Sequence, residues 1–130
     1  MILDTSAIIA VLRAEPEAAA MAQAMEQAGA CHVSAVSYVE AAIVIDSSRS
    51  PVSSRRFDDF FRQAHIVIES VSLEHARIAR EAYRDFGKGR HRAGLNFGDC
   101  FAYSLAKATG QPLLYKGDDF RHTDVEPAPQ

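Results

Sequence analysis

The sequence is poor in the residues that build redox centres, structural metal sites and membrane anchors. It has no tryptophan, two cysteines and five histidines among 130 residues. Cys31 and Cys100 form no metal or redox motif, and the histidines share no metal-ligand spacing. Apolar runs are short and interrupted, so no membrane span or membrane partner is predicted. No basic segment precedes an apolar segment at the start, so we expect a cytoplasmic protein.

Several common catalytic motifs are also missing. There is no Gly-x-Ser-x-Gly elbow, no Walker loop and no dinucleotide-binding glycine fingerprint. These absences argue against the common hydrolases, nucleotidases and oxidoreductases. A net charge of −3 also argues against a protein coated with positive charge for nonspecific binding of nucleic acid.

Positive charge is instead concentrated in one glycine-rich segment, "YRDFGKGRHRAGL", which we expect to be a mobile loop. Two interpretations stay open for it. The loop is either solvated surface, as most charge runs are, or a contact for the phosphate backbone of nucleic acid. The basic residues concerned are Arg84, Lys88, Arg90 and Arg92.

The composition is that of a globular domain, with 48% hydrophobic and 24% charged residues. The length predicts one domain over residues 1–130, in which about 126–130 form a frayed tail because of Pro127 and Pro129. Short apolar strands alternate with amphipathic helices. This alternation predicts an α/β fold, a three-layer α/β/α sandwich with a short, mostly parallel central sheet.

Local patterns predict where individual helices begin and which sides they bury. Thr5 or Ser6 is expected to cap the first helix, and Ser34 a later one. In "SLEHARIAREAYRDF", helical spacing predicts that one apolar set faces the core. That set is Leu73, Ala76, Ile78, Ala79, Ala82, Tyr83 and Phe86.

Acidic residues occur at four places where each has an ordinary structural explanation. Asp4 could cap a helix, Glu40 could be a surface residue of one, and Asp99 could complete a capping box begun by Asn96. Asp118 or Asp119 could form an Asx turn. Taken singly, each ordinary explanation is the better one.

The placement of these acids as a set favours a shared site. Asp4 and Asp118 both follow apolar strands, and the first turn of a crossover helix, where Asp99 lies, begins at the same carboxyl edge of a parallel sheet. Glu40 lies in a helix that is apolar on almost every side. No matching lysines or arginines stand beside these acids, so their repulsion calls for a cation. Oxygen ligands suit Mg²⁺ or Mn²⁺, and such an ion can activate water for phosphodiester hydrolysis.

Four segments resemble, in order and spacing, the motifs of the PIN-domain ribonucleases, and most closely those of the VapC toxins. The segments are "ILDTSAI", "VSYVEAAIV", "NFGDCFAYSLA" and "LLYKGDDF". The resemblance implies a Mg²⁺- or Mn²⁺-dependent endoribonuclease that leaves 5′-phosphate and 3′-hydroxyl ends. It also implies a homodimer, and a small cognate antitoxin of the VapB type whose tail enters the acidic groove.

Carried over by position, the resemblance assigns catalytic roles to Asp4, Glu40, Asp99 and Asp118, and metal binding to Asp4, Asp99 and Asp118. Asp118 is preferred as the fourth acid because it lies nearer the strand end, but Asp119 competes with it. Ser6, Asn96 and Asp119 are expected to support the site. For Ser6, an ordinary capping role is equally compatible with the sequence.

Two other functions stay open. The first is a phosphatase-like enzyme on a similar sheet, although haloacid-dehalogenase phosphatases need an aspartate where Ser6 stands. The second is a noncatalytic module that uses the same groove only to capture a partner. The retained acids count against the second alternative.

Overall fold

A four-stranded parallel sheet, in the order β3-β2-β1-β4, forms the centre of the molecule. The computed structural model describes residues 1–129. The strands are β1 (Ile2–Leu3), β2 (His32–Ser34), β3 (Val67–Glu69) and β4 (Leu113–Leu114). The helices are α1 (Thr5–Leu12), α2 (Ala18–Ala28), α3 (Ala35–Asp46), α4 (Pro51–Gln63), α5 (Leu73–Phe86) and α6 (Phe97–Thr109), followed by a 3₁₀ turn, Phe120–His122.

Strands β1 and β4 are buried on both faces, and their alternating side chains enter two different cores. The edge strand β3 is more exposed, with Val67 and Ile68 partly in solvent. Leu3 and Leu114 belong to a core shared with α1, α2, α3 and α4. Ile2 and Leu113 belong to a second core, shared with α5 and α6. The predicted three-layer α/β/α sandwich is therefore confirmed, and every strand pair in the sheet is parallel.

The first helix is capped by only one of the three residues that the sequence offered for this role. Asp4 is the N-cap of α1, and its side chain accepts from the Ser6 amide. The sequence pattern also allowed Thr5 or Ser6 as the cap, and that prediction was wrong, because β1 ends at Leu3 and both residues already lie in the first turn of α1. The predicted Ser34 cap of α3 is confirmed.

Helix α5 buries a narrower stripe than its sequence pattern predicted. Ala79 and Ala82 are buried, as expected. Leu73 is 66% exposed, Tyr83 is 43% exposed and Ala76 is exposed too, so the prediction was wrong for these three residues. The two buried alanines belong to the core shared with α6, and Ile78 and Phe86 pack against that core partly buried.

Two segments that were expected to move are tied to the fold. The basic loop closes through hydrogen bonds from Lys88 N to Leu95 O and from Leu95 N to Phe86 O, both 2.9 Å long. Near the end of the chain, Leu113 N donates to Glu126 O and Ala128 N donates to Leu113 O, each at 2.8 Å. Residues 126–128 are therefore held against β4 rather than frayed, and the rest of the expected tail includes Gln130, which lies outside the described residues.

Candidate active site

The order in which the chain adds strands to the sheet reverses between β1 and β4. From β1 the chain builds outward through β2 and β3, and it then returns to place β4 on the other side of β1. Open parallel sheets bind ligands at such a position, beyond the carboxyl ends of the strands. Asp4 directly follows β1, and Lys116 lies two residues beyond β4.

Asp4 is buried, and its two carboxylate oxygens have different surroundings. Oδ2 accepts hydrogen bonds from the Ser6 amide at 3.0 Å and from Ser6 Oγ at 2.6 Å. The Ser6 hydroxyl in turn accepts from the Lys116 amide at 2.9 Å, which joins the β4 end to the β1 end. Oδ1 is buried without a hydrogen-bond partner. Helix capping therefore explains one oxygen of Asp4 and leaves the other available to a ligand.

Glu40 lies on α3 and is held by a residue of α1. Thr5 Oγ1 donates to Glu40 Oε1 at 2.6 Å and also lies 3.2 Å from the Ser37 carbonyl oxygen. The backbone of α6 passes close to the same carboxylate. A Cβ atom added to Gly98 would lie only 2.2 Å from Glu40 Oε2. Contacts from two other helices therefore fix the position of Glu40.

Asp99 occupies the first turn of α6, where a capping box orients it. The Asp99 amide donates to Asn96 Oδ1 at 2.8 Å, and the Asn96 amide donates to Asp99 Oδ2 at 3.0 Å. The capping box that the sequence suggested is therefore present. It presents the Asp99 carboxylate at the carboxyl edge of the sheet, where Asp4 also lies.

Burial, with a smaller contribution from neighbouring acids, raises the pKa values of Asp4 and Asp99. Burial is the main cause that raises the pKa of Asp4 to about 6, and the negative charge of Glu40 adds to it. Burial also raises the pKa of Asp99 to about 7, followed by repulsion from Asp4, Asp119 and Glu40. Both carboxylates therefore carry an unfavourable charge at neutral pH, which a bound cation would offset.

The two candidates for the fourth acid lie in different positions. Asp118 is exposed, and its Oδ1 lies 3.4 Å from Arg121 Nη1 in a surface ion pair. Asp119 is also exposed, and repulsion from it is among the causes that raise the pKa of Asp99. Neither residue lines the cleft formed by the other acids. The choice of Asp118 or Asp119 as the fourth acid therefore stays a prediction, and the effect of Asp119 on Asp99 counts in favour of Asp119.

An open cleft of about 490 Å³ brings the remaining site residues together. Within residues 1–129, no three histidine, cysteine, aspartate or glutamate side chains form a ready-made metal cage. Mg²⁺ does not require one, because it usually keeps several waters and binds one or two carboxylates directly. The free Oδ1 of Asp4 and the repulsion between the acids fit a hydrated divalent cation. The cleft is lined by Asp4, Thr5, Ser6, Ile9, Glu15, Glu40, Val44, Asn96, Asp99, Lys116 and Gly117.

The basic loop residues lie outside this cleft. Arg84, Lys88, Arg90 and Arg92 are all exposed. The guanidinium carbon of Arg90 lies 5.3 Å from the centre of the Tyr83 ring. The loop leads directly into Asn96 and α6, so it is near the site in sequence without forming part of its lining.

Sequence reasoning missed several residues that shape the site. Thr5 was considered only as a cap, and Gly98, Lys116 and Glu15 were given no role. Gly98 carried a usable signal, since a glycine inside a helix is costly and requires a reason such as close packing. The contacts of Lys116 and Glu15 join distant segments, so no local pattern reports them.

The model of the PIN-domain family matches residues 1–126. The ribonuclease VapC28 of Mycobacterium tuberculosis is 54% identical over 129 residues, which cover 98% of this chain and 97% of the relative. The chain is a PIN-domain protein of the VapC family. The VapC ribonuclease of Mycolicibacterium smegmatis is 48% identical over 125 residues, covering 96% of this chain and 97% of that one.

A solved VapC structure confirms the fold independently of close sequence similarity. VapC20 of Mycobacterium tuberculosis, described as a toxin that cleaves the sarcin–ricin loop, superposes with a TM-score of 0.74. The match covers 98% of both chains at 14% identity, so it supports the PIN fold and no shared substrate. Among residues 1–129 of this VapC-family chain, no helix has the length and apolar composition needed to cross a membrane.

Proposed function

We propose that the chain is a metal-dependent endoribonuclease and acts as the toxin of a toxin–antitoxin pair. The observation that carries the proposal is the unpartnered buried oxygen of Asp4, a residue that lines an open cleft together with Glu40 and Asp99. Membership of a family of ribonucleases supports the same chemistry. Mg²⁺ or Mn²⁺ is proposed as the cofactor, since the donors are carboxylate oxygens.

Asp4 and Asp99 are proposed to hold the cation, with Asp119 in preference to Asp118 in support. A bound divalent cation would supply charge neutralisation and a more acidic water. Ser6 keeps Asp4 Oδ2 occupied, so that Oδ1 is the oxygen directed to the ligand. Asn96 orients Asp99 through the capping box.

Glu40 is proposed as the group that takes a proton from the attacking water, because Thr5 holds it in the cleft. Water adds to phosphorus while its proton passes to Glu40, the bond between phosphorus and O3′ breaks, and the leaving O3′ takes a proton from solvent water. Glu40 then returns its proton to solvent. The products are a 5′-phosphate and a 3′-hydroxyl end, and no covalent enzyme intermediate forms.

The proposal extends to partners and location. A small antitoxin of the VapB type is proposed to bind the acidic cleft, where a cationic segment would be complementary. Contact between RNA and the basic loop stays a prediction, as does a cytoplasmic location. A homodimer is also proposed, and exposed apolar side chains on α5 and α6 support it.

Cleavage of total bacterial RNA by the purified, antitoxin-free chain tests the proposed function. Discrete fragments are expected with Mg²⁺ or Mn²⁺ and none with EDTA. Asp4→Asn should reduce the cleavage rate at least roughly 100-fold while the circular dichroism spectrum is unchanged, because the amide removes the charged ligand but preserves the cap.

A matched control is Asp46→Asn, which alters a hydrogen-bonded carboxylate outside the cleft: Asp46 Oδ1 accepts from Ser54 Oγ at 2.6 Å. This variant should cleave like the wild type. Metal-independent cleavage, or full activity of folded Asp4→Asn, would contradict the proposal.

A further inference from the structure

Lys116 is the one cationic side chain among the residues that line the acidic cleft in the described part of the chain. Its backbone amide is fixed by the hydrogen bond to Ser6 Oγ, at 2.9 Å. Its ammonium group lies 3.1 Å from Glu15 Oε1 and 3.0 Å from Glu17 Oε2. The root of the side chain is therefore anchored beside Asp4, while its charged end rests on two glutamates of the turn between α1 and α2.

The ion pairs of Lys116 are of the kind that exchange readily. The Lys116 side chain is 36% exposed, and those of Glu15 and Glu17 are 28% and 38% exposed. Exposed lysine–carboxylate pairs contribute little to stability, and salt weakens them. Lysine is a compact point charge on a flexible stem, so its ammonium group can turn to another anion without movement of the backbone.

An RNA strand carries a negatively charged phosphate group at every nucleotide, and this group could replace the carboxylates as the partner of Lys116. The cleft walls carry the carboxylates of Asp4, Glu40 and Asp99, which repel phosphate. Lys116, whose backbone is hydrogen-bonded to Ser6 of α1, lines the same cleft, so its positive charge would offset this repulsion for a bound strand. The side-chain interactions with Glu15 and Glu17 raise the pKa of Lys116, so the group is charged at neutral pH.

We propose that Lys116 binds an RNA backbone phosphate at the cleft, and that Glu15 and Glu17 occupy its ammonium group until RNA displaces them. This inference rests on the proposed ribonuclease function. It makes Lys116 a substrate-binding residue and the two glutamates an internal competitor for the phosphate.

The affinity for RNA distinguishes this role from a purely structural one, in which Lys116 only links the turn between α1 and α2 to β4. Binding of a fluorescently labelled single-stranded RNA oligonucleotide is measured by anisotropy with Mg²⁺, in the Asp4→Asn background so that the RNA stays intact. Lys116→Met should raise the dissociation constant roughly tenfold and lower the slope of log affinity against log salt by about 0.7.

The matched control is Lys107→Met. Lys107 also forms a surface ion pair, 3.1 Å from Asp124 Oδ2, and its side chain is 38% exposed. It lies near the far end of α6 from Asp99. Its removal should leave the dissociation constant and the salt slope within about twofold of the background protein. Equal effects of the two lysine substitutions would overturn the role of Lys116.

The competitor role has its own test. The double substitution Glu15→Gln with Glu17→Gln should tighten RNA binding several-fold, and this gain should vanish when Lys116→Met is added. A gain that persists without Lys116 would reflect only the lower net negative charge, and would overturn the competitor role.

The combined results of the binding and cleavage experiments show whether the role of Lys116 fails, the proposed ribonuclease function fails, or both fail. If the wild type cleaves RNA but the Asp4→Asn background does not bind it, the role of Lys116 is tested by the KM for RNA cleavage. Lys116→Met should then raise KM, and an unchanged KM would overturn the role of Lys116. If RNA is bound but not cleaved, the ribonuclease proposal fails while the comparison of Lys116 with Lys107 still stands. If RNA is neither bound nor cleaved, both fail.

Discussion

At the scale of single residues, the site combines ordinary structural roles with available ligand atoms. Asp4 caps α1 through Oδ2, while Oδ1 is buried and unpartnered. Asp99 completes a capping box and still has a raised pKa, mainly because it is partly buried and then because other acids lie near it. Helix capping explains where Asp4 and Asp99 lie. Their raised pKa values show that their negative charge is unfavourable in the folded protein, and this indicates a second role, such as binding a cation.

The choice between the adjacent acids Asp118 and Asp119 can be tested directly. Asp119→Asn should lower the cleavage rate roughly tenfold or more, because its charge acts on Asp99. Asp118→Asn should stay within about threefold of the wild type, since that carboxylate forms a surface ion pair with Arg121. Cleavage rates at several Mg²⁺ concentrations would check this, and a larger loss with Asp118→Asn would restore the preference from sequence.

The stability of the metal-free protein should depend on pH through Asp4. Its pKa is raised from 3.8 to about 6 in the folded state, so the folded chain holds this proton more tightly than the unfolded chain does. The free energy of unfolding should therefore fall as pH rises from about 4 to about 6, by roughly 3 kcal/mol from this group.

Urea unfolding in EDTA, compared between wild type and Asp4→Asn, isolates this contribution. The variant should be the more stable protein at pH 7.5, and the difference should shrink towards pH 4. Added Mg²⁺ should stabilise the wild type at pH 7.5 more than the variant. A variant that is less stable at pH 7.5 in EDTA would show that the buried charge is not the dominant cost.

At the scale of elements, the ends of strands and the starts of helices build the site. Asp4 joins β1 to α1, Asp99 lies in the first turn of α6, and Lys116 follows β4. Glu40 is the exception, because it lies within α3 and depends on contacts with α1 and α6. The close approach of α6 to Glu40 is possible only because residue 98 lacks a side chain.

Gly98→Ala should reduce activity without unfolding the protein. The new Cβ would overlap the Glu40 carboxylate and displace it from Thr5, which should lower the cleavage rate roughly 10- to 100-fold. The melting temperature should change little, since alanine favours a helix more than glycine does.

Gly110→Ala is the control, because it should lower stability and leave activity unchanged, whereas Gly98→Ala should lower activity and leave stability unchanged. Gly110 ends α6 with a φ of +66° and has open space around its Cβ position, so alanine there should strain the backbone and lower the melting temperature. The activity of the folded protein should persist. Full activity of Gly98→Ala would show that Glu40 does not need its present position.

At the scale of the whole molecule, one apolar surface remains unexplained by the monomer. A groove of about 330 Å³ runs between α5 and α6, with Tyr83, Phe97 and Phe101 in its lining. Phe97 is 73% exposed, and Leu73 near the start of α5 is 66% exposed. An apolar surface of this kind is typical of an interface, which supports the proposed homodimer.

Phe97→Gln should shift the protein from dimer to monomer, because it removes the most exposed aromatic side chain of this groove. Val52→Gln is the matched control, since Val52 is 61% exposed at the start of α4 and does not line the groove. Sedimentation equilibrium would measure both. A wild type that is monomeric at micromolar concentration, or a Phe97→Gln dimer of unchanged affinity, would contradict this interface.

The sequence by itself determined the class of fold and the acids that lie nearest the sheet. Alternating short strands and helices allow few arrangements other than a covered parallel sheet, and helix signals such as Ser34 and the Asn96–Asp99 capping box act through neighbouring residues. The expected α/β sandwich was therefore confirmed, whereas the roles of the acids stay predictions.

The tertiary structure alone decided which atoms meet. Thr5 and Gly98 contact Glu40, and the Lys116 amide is hydrogen-bonded to Ser6. Asp118 forms a surface ion pair with Arg121, which distinguishes its surroundings from those of Asp119. The tertiary structure also left Leu73 and Tyr83 exposed although their spacing predicted burial. The physical reason is that contacts between distant segments depend on how helices pack over the sheet, and periodicity along one helix does not specify its neighbours.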